Sequence, residues 1–409
     1  MRSTIGIGLM FCWTWLVFPA SASSADPPSA EKFLLEGKLA EGEATFSAAL
    51  QAKPDDQQAR FGLGAVQFVS AVEQLGQNFY KFGLRDQQQF LLNVPFLRLP
   101  VPVNLAPEKL TYEAARQILR TFVDDLARAE ATLAPINDPQ VKLPLHVTRI
   151  KLDFVGQGLG STTLAEVMQR MRAIRDQRDL LVHFDRADVS WLRGYCHLLS
   201  AMAEFVLAHD GREIFDSTAH LFFQRVESPL TFLQEGRKVF AYGSGKDHFD
   251  VADVIAFIHL IRMPVKEPQR MQAALVHLEK MLALSREMWQ LIQAESDDDH
   301  EWIPNAKQRG ELNLRVTQEM IDGWLFGVQE AELVLQGKRL IPFWRGNGER
   351  GVNLRRVFTE PRPFDLVLWA QGTAAAPYLE PGEITSPAVW DRLQRVFRGE
   401  FVVFALWFN

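Results

Sequence analysis

The sequence predicts a mainly α protein: an opening helix pair, then a multi-helix body, then a small C-terminal segment rich in short strands. Three observations carry that prediction. Apolar residues recur at helical spacing through the middle of the chain, most clearly at Ile118, Phe122, Leu126, Ala129 and Leu133. Proline and glycine breaks cut these stripes into single-helix lengths. After Leu335 the pattern changes to short aromatic and β-branched runs between Gly and Pro residues. The 409 residues, 47% hydrophobic and 23% charged, suffice for two or three globular domains. A net charge of −6, without a run of five like charges, speaks against a nucleic-acid partner and against an anionic lipid surface.

The chain starts with one charge, Arg2, before an apolar run from Ile5 to Phe18. That run is too short to cross about 30 Å of hydrocarbon and has the length of a signal-peptide core. Pro19 breaks it, and Ala20-Ser21-Ala22 and Ser23-Ser24-Ala25 each offer small residues at the −3 and −1 positions of a cleavage site. Residues 1–25 therefore read as a signal peptide cleaved after Ala22 or Ala25. The expected location is the periplasm or the extracellular space, with no membrane span after cleavage. Cys12 follows Phe11 in mid-run, which does not fit a lipoprotein. Cys196 is then the single thiol of the mature chain, so it has no disulfide partner there. Its neighbours Tyr195, Leu198 and Leu199 predict a buried, inert side chain.

Residues 26–92 form the first predicted unit. Ala30 and Phe33 provide a small and an aromatic position on one helix, and Gly37 falls at a turn. Gly42 and Phe46 repeat the small and aromatic positions on a second helix, and Ala49-Leu50 and Pro54 close the unit. Leu63-Gly64 follows at the start of the next helix. These positions resemble a tetratricopeptide repeat over residues 30 to about 66, with Gly42 where the family usually has Ala. The resemblance implies antiparallel helices in close approach, and a unit that must dock on its successor because one repeat cannot bury its own apolar face. Such units bind peptides when several stack into a groove; with little more than one repeat, the favoured reading is a structural start to the helical domain, and the alternative is a protein partner held through these N-terminal helices.

A helical body is predicted over 93–337. Pro95, Pro100, Pro102 and Pro107 mark a connector, after which Thr111 caps the helix bearing the 118–133 stripe. Val147 to Val155 alternates enough for a short strand. A helix apolar on most sides spans about Asp188 to Ala208, with Gly211 expected as its C′ residue. Its polar exceptions, Arg193, His197, Ser200 and Glu204, form a stripe that is either a pocket wall for a ligand or a solvent edge. The longest helix is expected from Glu267 to Ala294, and another from Thr317 to Leu335. In the last unit, 338–409, strands are expected at Leu340–Phe343, Val352–Phe358, Phe364–Trp369 and Phe401–Phe408.

One motif recurs. His183-Phe184-Asp185-Arg186-Ala187-Asp188-Val189 returns as His248-Phe249-Asp250-Val251-Ala252-Asp253-Val254. Each copy opens an apolar helix, where a short carboxylate serves as an N-cap. The alternative is a pair of His-x-Asp half-sites, His183/Asp185 and His248/Asp250, converging on calcium or zinc, with the acidic run Asp297–Glu301 as a further source of ligands. Gly346 to Gly351 matches GxGxxG, but a strand-like run follows where a dinucleotide fold needs a helix, so a hairpin turn is expected. Asp153 to Gly158 has two features of a calcium loop and too few oxygens to complete one. Arg345, Arg350, Arg355, Arg356 and Arg362, near Trp344 and Trp369, make a locally basic patch suited to an anion or sugar. No cofactor is predicted. The favoured expectation is an exported cell-envelope binding or structural module, and the alternative is an exported metal-dependent hydrolase using the two His-Phe-Asp motifs.

Overall fold

The computed structural model describes residues 29–85, 99–158, 162–170, 178–234, 251–312, 315–345 and 348–397. It is mainly helical. Helix α1 (Ala30–Glu36) ends where Gly37 adopts φ 70°, and α2 (Leu39–Ala52) folds back on it. A Cβ at Gly42 would lie 2.9 Å from Phe33, so the close approach depends on the missing side chain. Asp56 caps α3 (Gln57–Lys81) by accepting the Ala59 N–H at 2.9 Å. Thr111 caps α4 (Tyr112–Leu133) as expected, and its whole predicted stripe is buried.

Strand β1 (Leu143–His146) pairs antiparallel with β4 (Leu181–Phe184), and β2 (Lys151–Leu152) with β3 (Thr162–Thr163). The strand expected at Val147–Val155 is a 3-10 turn at Val147–Arg149, the two residues of β2, and a turn. In that turn Asp153 accepts the N–H groups of Val155, Gly156 and Gly158, which uses the carboxylate locally. Short helix α5 (Leu164–Arg170) follows. Helix α6 (Arg186–Ala208) is the central rod. It stops because His209 turns extended, at φ −108° and ψ 156°, and bridges Val265; Gly211 is therefore the N-cap of α7 (Arg212–Phe222), not the C′ residue of α6.

Helix α8 (Val251–Leu260) leads into β5 (Arg262–Met263), and α9 (Pro268–Ala294) starts with proline at its first position. Thr317 caps α10 (Gln318–Leu335). Then come β6 (Ile341–Pro342), β7 (Gly351–Val352), α11 (Leu354–Thr359), β8 (Phe364–Asp365), α12 (Leu366–Gln371), β9 (Leu379–Glu380) and α13 (Pro387–Phe397). The strands here are only two residues long. Asn353 accepts the Arg356 N–H and Asp365 the Leu368 N–H, so both runs read as long strands turn helical at an Asx cap. Strands β6 and β7, on either side of the GxGxxG segment, pair antiparallel, with Gly346 and Asn347 themselves outside the described residues, and β8 pairs with β5. The strand expected at 401–408, the signal peptide expected at 1–25, and His248 with Asp250 lie outside the described residues.

One core cluster joins Phe46 of α2, Phe61 of α3, Leu133 of α4, Trp289 of α9 and Trp324 of α10. A second joins Leu75 and Phe79 of α3 to Phe122 and Leu126 of α4 and Phe222 of α7. Helix α3 therefore contributes to both, and the opening helix pair is built into the body. Among the described residues no helix is long and apolar enough to cross a membrane.

Candidate functional site

Strand β4 delivers His183 and Asp185 to the start of α6. Asp185 accepts the Ala187 N–H at 2.7 Å, while Asp188 accepts the Asp185 N–H at 3.0 Å, a reciprocal capping box. His183 Nδ1 lies 3.0 Å from Asp299 Oδ1, and its ring centroid is 4.9 Å from that of His300. The fold thus does bring the first His-Phe-Asp motif to the 297–301 run. Every acid there already has a protein donor. Lys142 Nζ meets Asp299 at 2.6 Å and Asp297 at 3.3 Å, Asp298 accepts the Arg309 N–H, and Glu301 accepts the Asp299 N–H. Hydrogen bonds from Lys142 and His183 hold Asp299 down at about 2, whereas burial and the charge of Asp185 push Glu295 up to about 8. Among the described residues no group of three His, Cys, Asp or Glu side chains is arranged to hold a metal ion.

The polar stripe of α6 lies inside the molecule, at the junction of α4, α6 and α9. His197, Ser200 and Glu204 are buried, which rules out the solvent-edge reading. Arg193 donates to Glu130 of α4 at 2.9 and 3.1 Å. His197 Nε2 lies 3.6 Å from the same carboxylate, and its Nδ1 lies 2.9 Å from Nδ1 of His277 on α9. In such a pair one ring donates and the other accepts. Hydrogen bonding from His197 and Arg193 holds Glu130 at about 2; burial, with His197 and Lys280 nearby, lowers His277 to about 4.

Glu204 takes Arg270 at 2.8 Å, and Arg270 also meets Glu267 at 2.6 Å. Glu267 further binds Arg116 at 2.5 Å and Arg120 at 3.0 Å. At the other end Arg186 reaches Glu287 at 2.5 Å. Residues 186, 197 and 204 of α6 thus meet 287, 277 and 270 of α9, a register of antiparallel helices. Arg193, His197 and Glu204 are brought to one seam, but all face protein partners instead of an open pocket. Cys196 is buried on the same helix, and burial pushes its thiol upward, in line with an inert side chain.

An open groove of about 520 Å³ lies between α2 and α3. Ser70, Gln74, Gln77 and Lys81 stand along it at spacings of four, three and four, so one face of α3 forms its wall. Glu43 and Leu39 of α2 lie across from them. Glu73 belongs to the same wall; burial raises its carboxyl to about 7 while its Oε2 accepts the Asp153 N–H at 2.6 Å. Gln77 donates to the Asp153 carbonyl at 2.9 Å, so the 153–158 turn buttresses this face. None of these residues stood out in the sequence, because an amide-rich helix face has the spacing of any solvated one. The single available signal was the interruption of an otherwise apolar α3 by Gln and Asn. No protein-family model, curated protein or solved structure matches this chain.

Proposed function

We propose that this protein is an exported helical binding module of the cell envelope, and that it holds an extended peptide segment of a protein partner in the groove between α2 and α3. The groove itself carries the reading: its volume lies in the range of ligand sites, and its α3 wall is a row of amide, hydroxyl and charged side chains. Side-chain amides both donate and accept, which suits a peptide main chain whose N–H and C=O groups alternate. The signal-peptide pattern of residues 1–25 and the tetratricopeptide-like spacing support export and partner binding.

The test places a photo-crosslinking residue at Gln74 in the full chain and, separately, fills the groove with Gln74→Trp. Crosslinks at position 74 to one partner peptide are expected, together with loss of that partner's binding in Gln74→Trp at unchanged melting temperature. Unchanged partner affinity in a folded Gln74→Trp protein would remove the groove from the function.

A further inference from the structure

A second open cleft, of about 500 Å³, lies where the β5–β8 ladder meets α12, and it has a different chemistry. Its floor is apolar, with Met263, Phe364 and Pro377 prominent. The floor is also held in place. Phe364 meets Phe205 edge-to-face at 5.3 Å, the Leu366 N–H donates to the Ile261 carbonyl at 2.9 Å, and the Asp210 N–H donates to the Pro264 carbonyl at 2.8 Å. Pro264, Pro363 and Pro377 bring no N–H groups, so the floor offers shape and apolar contact with few hydrogen-bond donors.

The charges around this floor are unequal in how far they are committed. Arg262 pairs with Glu213 at 2.9 Å, and Asp365 caps α12 through the Leu368 N–H. Within the basic patch, Arg355 is held by Glu279 at 2.8 Å, Arg350 by the Leu379 carbonyl at 3.0 Å, and Arg356 by Glu360 and Glu380. Arg362 is exposed; its charge acts on Tyr378 and Glu360, but among the described residues it makes no ion pair with a carboxylate. Glu360, whose charge interacts with Arg362, has both oxygens taken by Arg356. Past the other end of β8 the surface is apolar instead. Leu368 and Val367 are 43% and 47% exposed, and Ile258 at the end of α8 is 37% exposed.

An uncommitted guanidinium at one end of a short strand, an apolar floor along it and exposed aliphatic side chains past the other end describe the complement of one kind of ligand. We propose that this cleft binds a monomeric single-chain amphiphilic carboxylate, with the carboxylate on Arg362 and the alkyl chain along Phe364, Met263 and Leu368. Guanidinium and carboxylate match as a two-pronged, charge-assisted pair, and the chain would cover apolar surface that the fold leaves in water. The site is separate from the α2–α3 groove, so it stands or falls independently of the partner-binding reading.

The experiment is calorimetric titration of the full chain with decanoate below its micelle concentration, beside acetate and decyltrimethylammonium. Saturable binding of one decanoate is expected, with acetate and the cationic amphiphile at least about tenfold weaker. Arg362→Gln and Leu368→Glu, both at exposed positions, should each weaken decanoate about tenfold with unchanged circular dichroism. No saturable decanoate binding would overturn the proposal. So would equal binding of the cationic amphiphile, or an Arg362→Gln protein that binds decanoate as the parent does.

Discussion

His277 and Glu73 are displaced from their ordinary pKa values by the same cause, burial, with opposite consequences for folding. In the folded chain His277 is lowered to about 4 from 6.5, so the unfolded chain takes up a proton that the folded one refuses. Stability from this residue is complete above pH 6.5 and is lost as pH falls toward 4. Glu73 is raised to about 7 from 4.5, so the folded chain keeps a proton that the unfolded one has shed, and stability is lost as pH rises from 4.5 to 7. Glu295, raised to about 8, acts in the same direction as Glu73. Between pH 4.5 and 6.5 the histidine therefore offsets one of the two acids, each at about 1.4 kcal/mol per pH unit. His277→Gln should remove that offset. Relative to the parent, its stability should fall by about a further 3 kcal/mol across the window, read from urea midpoints at a series of pH values. Parallel profiles for parent and variant would mean that His277 takes up its proton as readily folded as unfolded. His197 Nδ1 at 2.9 Å and Glu130 beyond it are the groups that make the site of His277 specific, and Lys280 adds a repelling charge.

At the scale of elements, the pairing of α6 with α9 is set by polar side chains crossing an otherwise apolar contact. Buried ion pairs are weak stabilisers because desolvation cancels most of their attraction, but breaking one leaves a charge stranded. Arg270→Met should therefore cost about 3–5 kcal/mol, since Glu204 is only 8% exposed in its side chain and loses its cation. Adding Glu204→Leu to it should recover most of that loss, because the two apolar side chains pack where the pair stood. Chemical denaturation of the two singles and the double gives the coupling, and simple additivity would show that the pair does not act as a unit. How much of such an element was legible follows from the range of the physics involved. Thr111, Thr317 and the 118–133 stripe act within a few residues of themselves, and they were readable. The α6 stripe was readable as spacing, but its burial was not, because Glu130, Arg270 and His277 are brought to it from 63 to 80 residues away. Asn353 and Asp365 were misread because the aromatic and β-branched residues after them outweighed the cap in a local reading. The first His-Phe-Asp copy was readable as an N-cap, and Asp185 is one. What composition could not show was that the same turn stacks its histidine against His300.

For the whole molecule, the question is whether the opening helix pair is an appendage or part of the single folded body. Leu34, Phe46 and Leu39 are at most 3% exposed, and they share one core with Phe61, Leu133, Leu145 and Trp289. Polar contacts tie the same region down: Glu31 accepts from the His146 N–H at 3.1 Å and meets its Nδ1 at 2.6 Å, and Gln57 accepts the Asn137 N–H at 2.7 Å. Burying each large apolar side chain contributes about 1.5–3 kcal/mol, so those three with Ala30 and Phe33 add up to roughly 10 kcal/mol. That is comparable to the total stability of an ordinary domain, about 5–15 kcal/mol. A chain beginning at Pro54 should therefore lose its cooperative melting transition and expose apolar surface to a hydrophobic dye, instead of becoming a shorter folded protein. Because α3 contributes to both core clusters, the loss should spread to α4 and α7, visible as loss of amide protection in those helices. A truncated chain that melts cooperatively near the parent temperature would make the pair a separable unit. The groove between α2 and α3 could then be transplanted. In the structure as it stands, the groove exists because the body behind α3 holds it open.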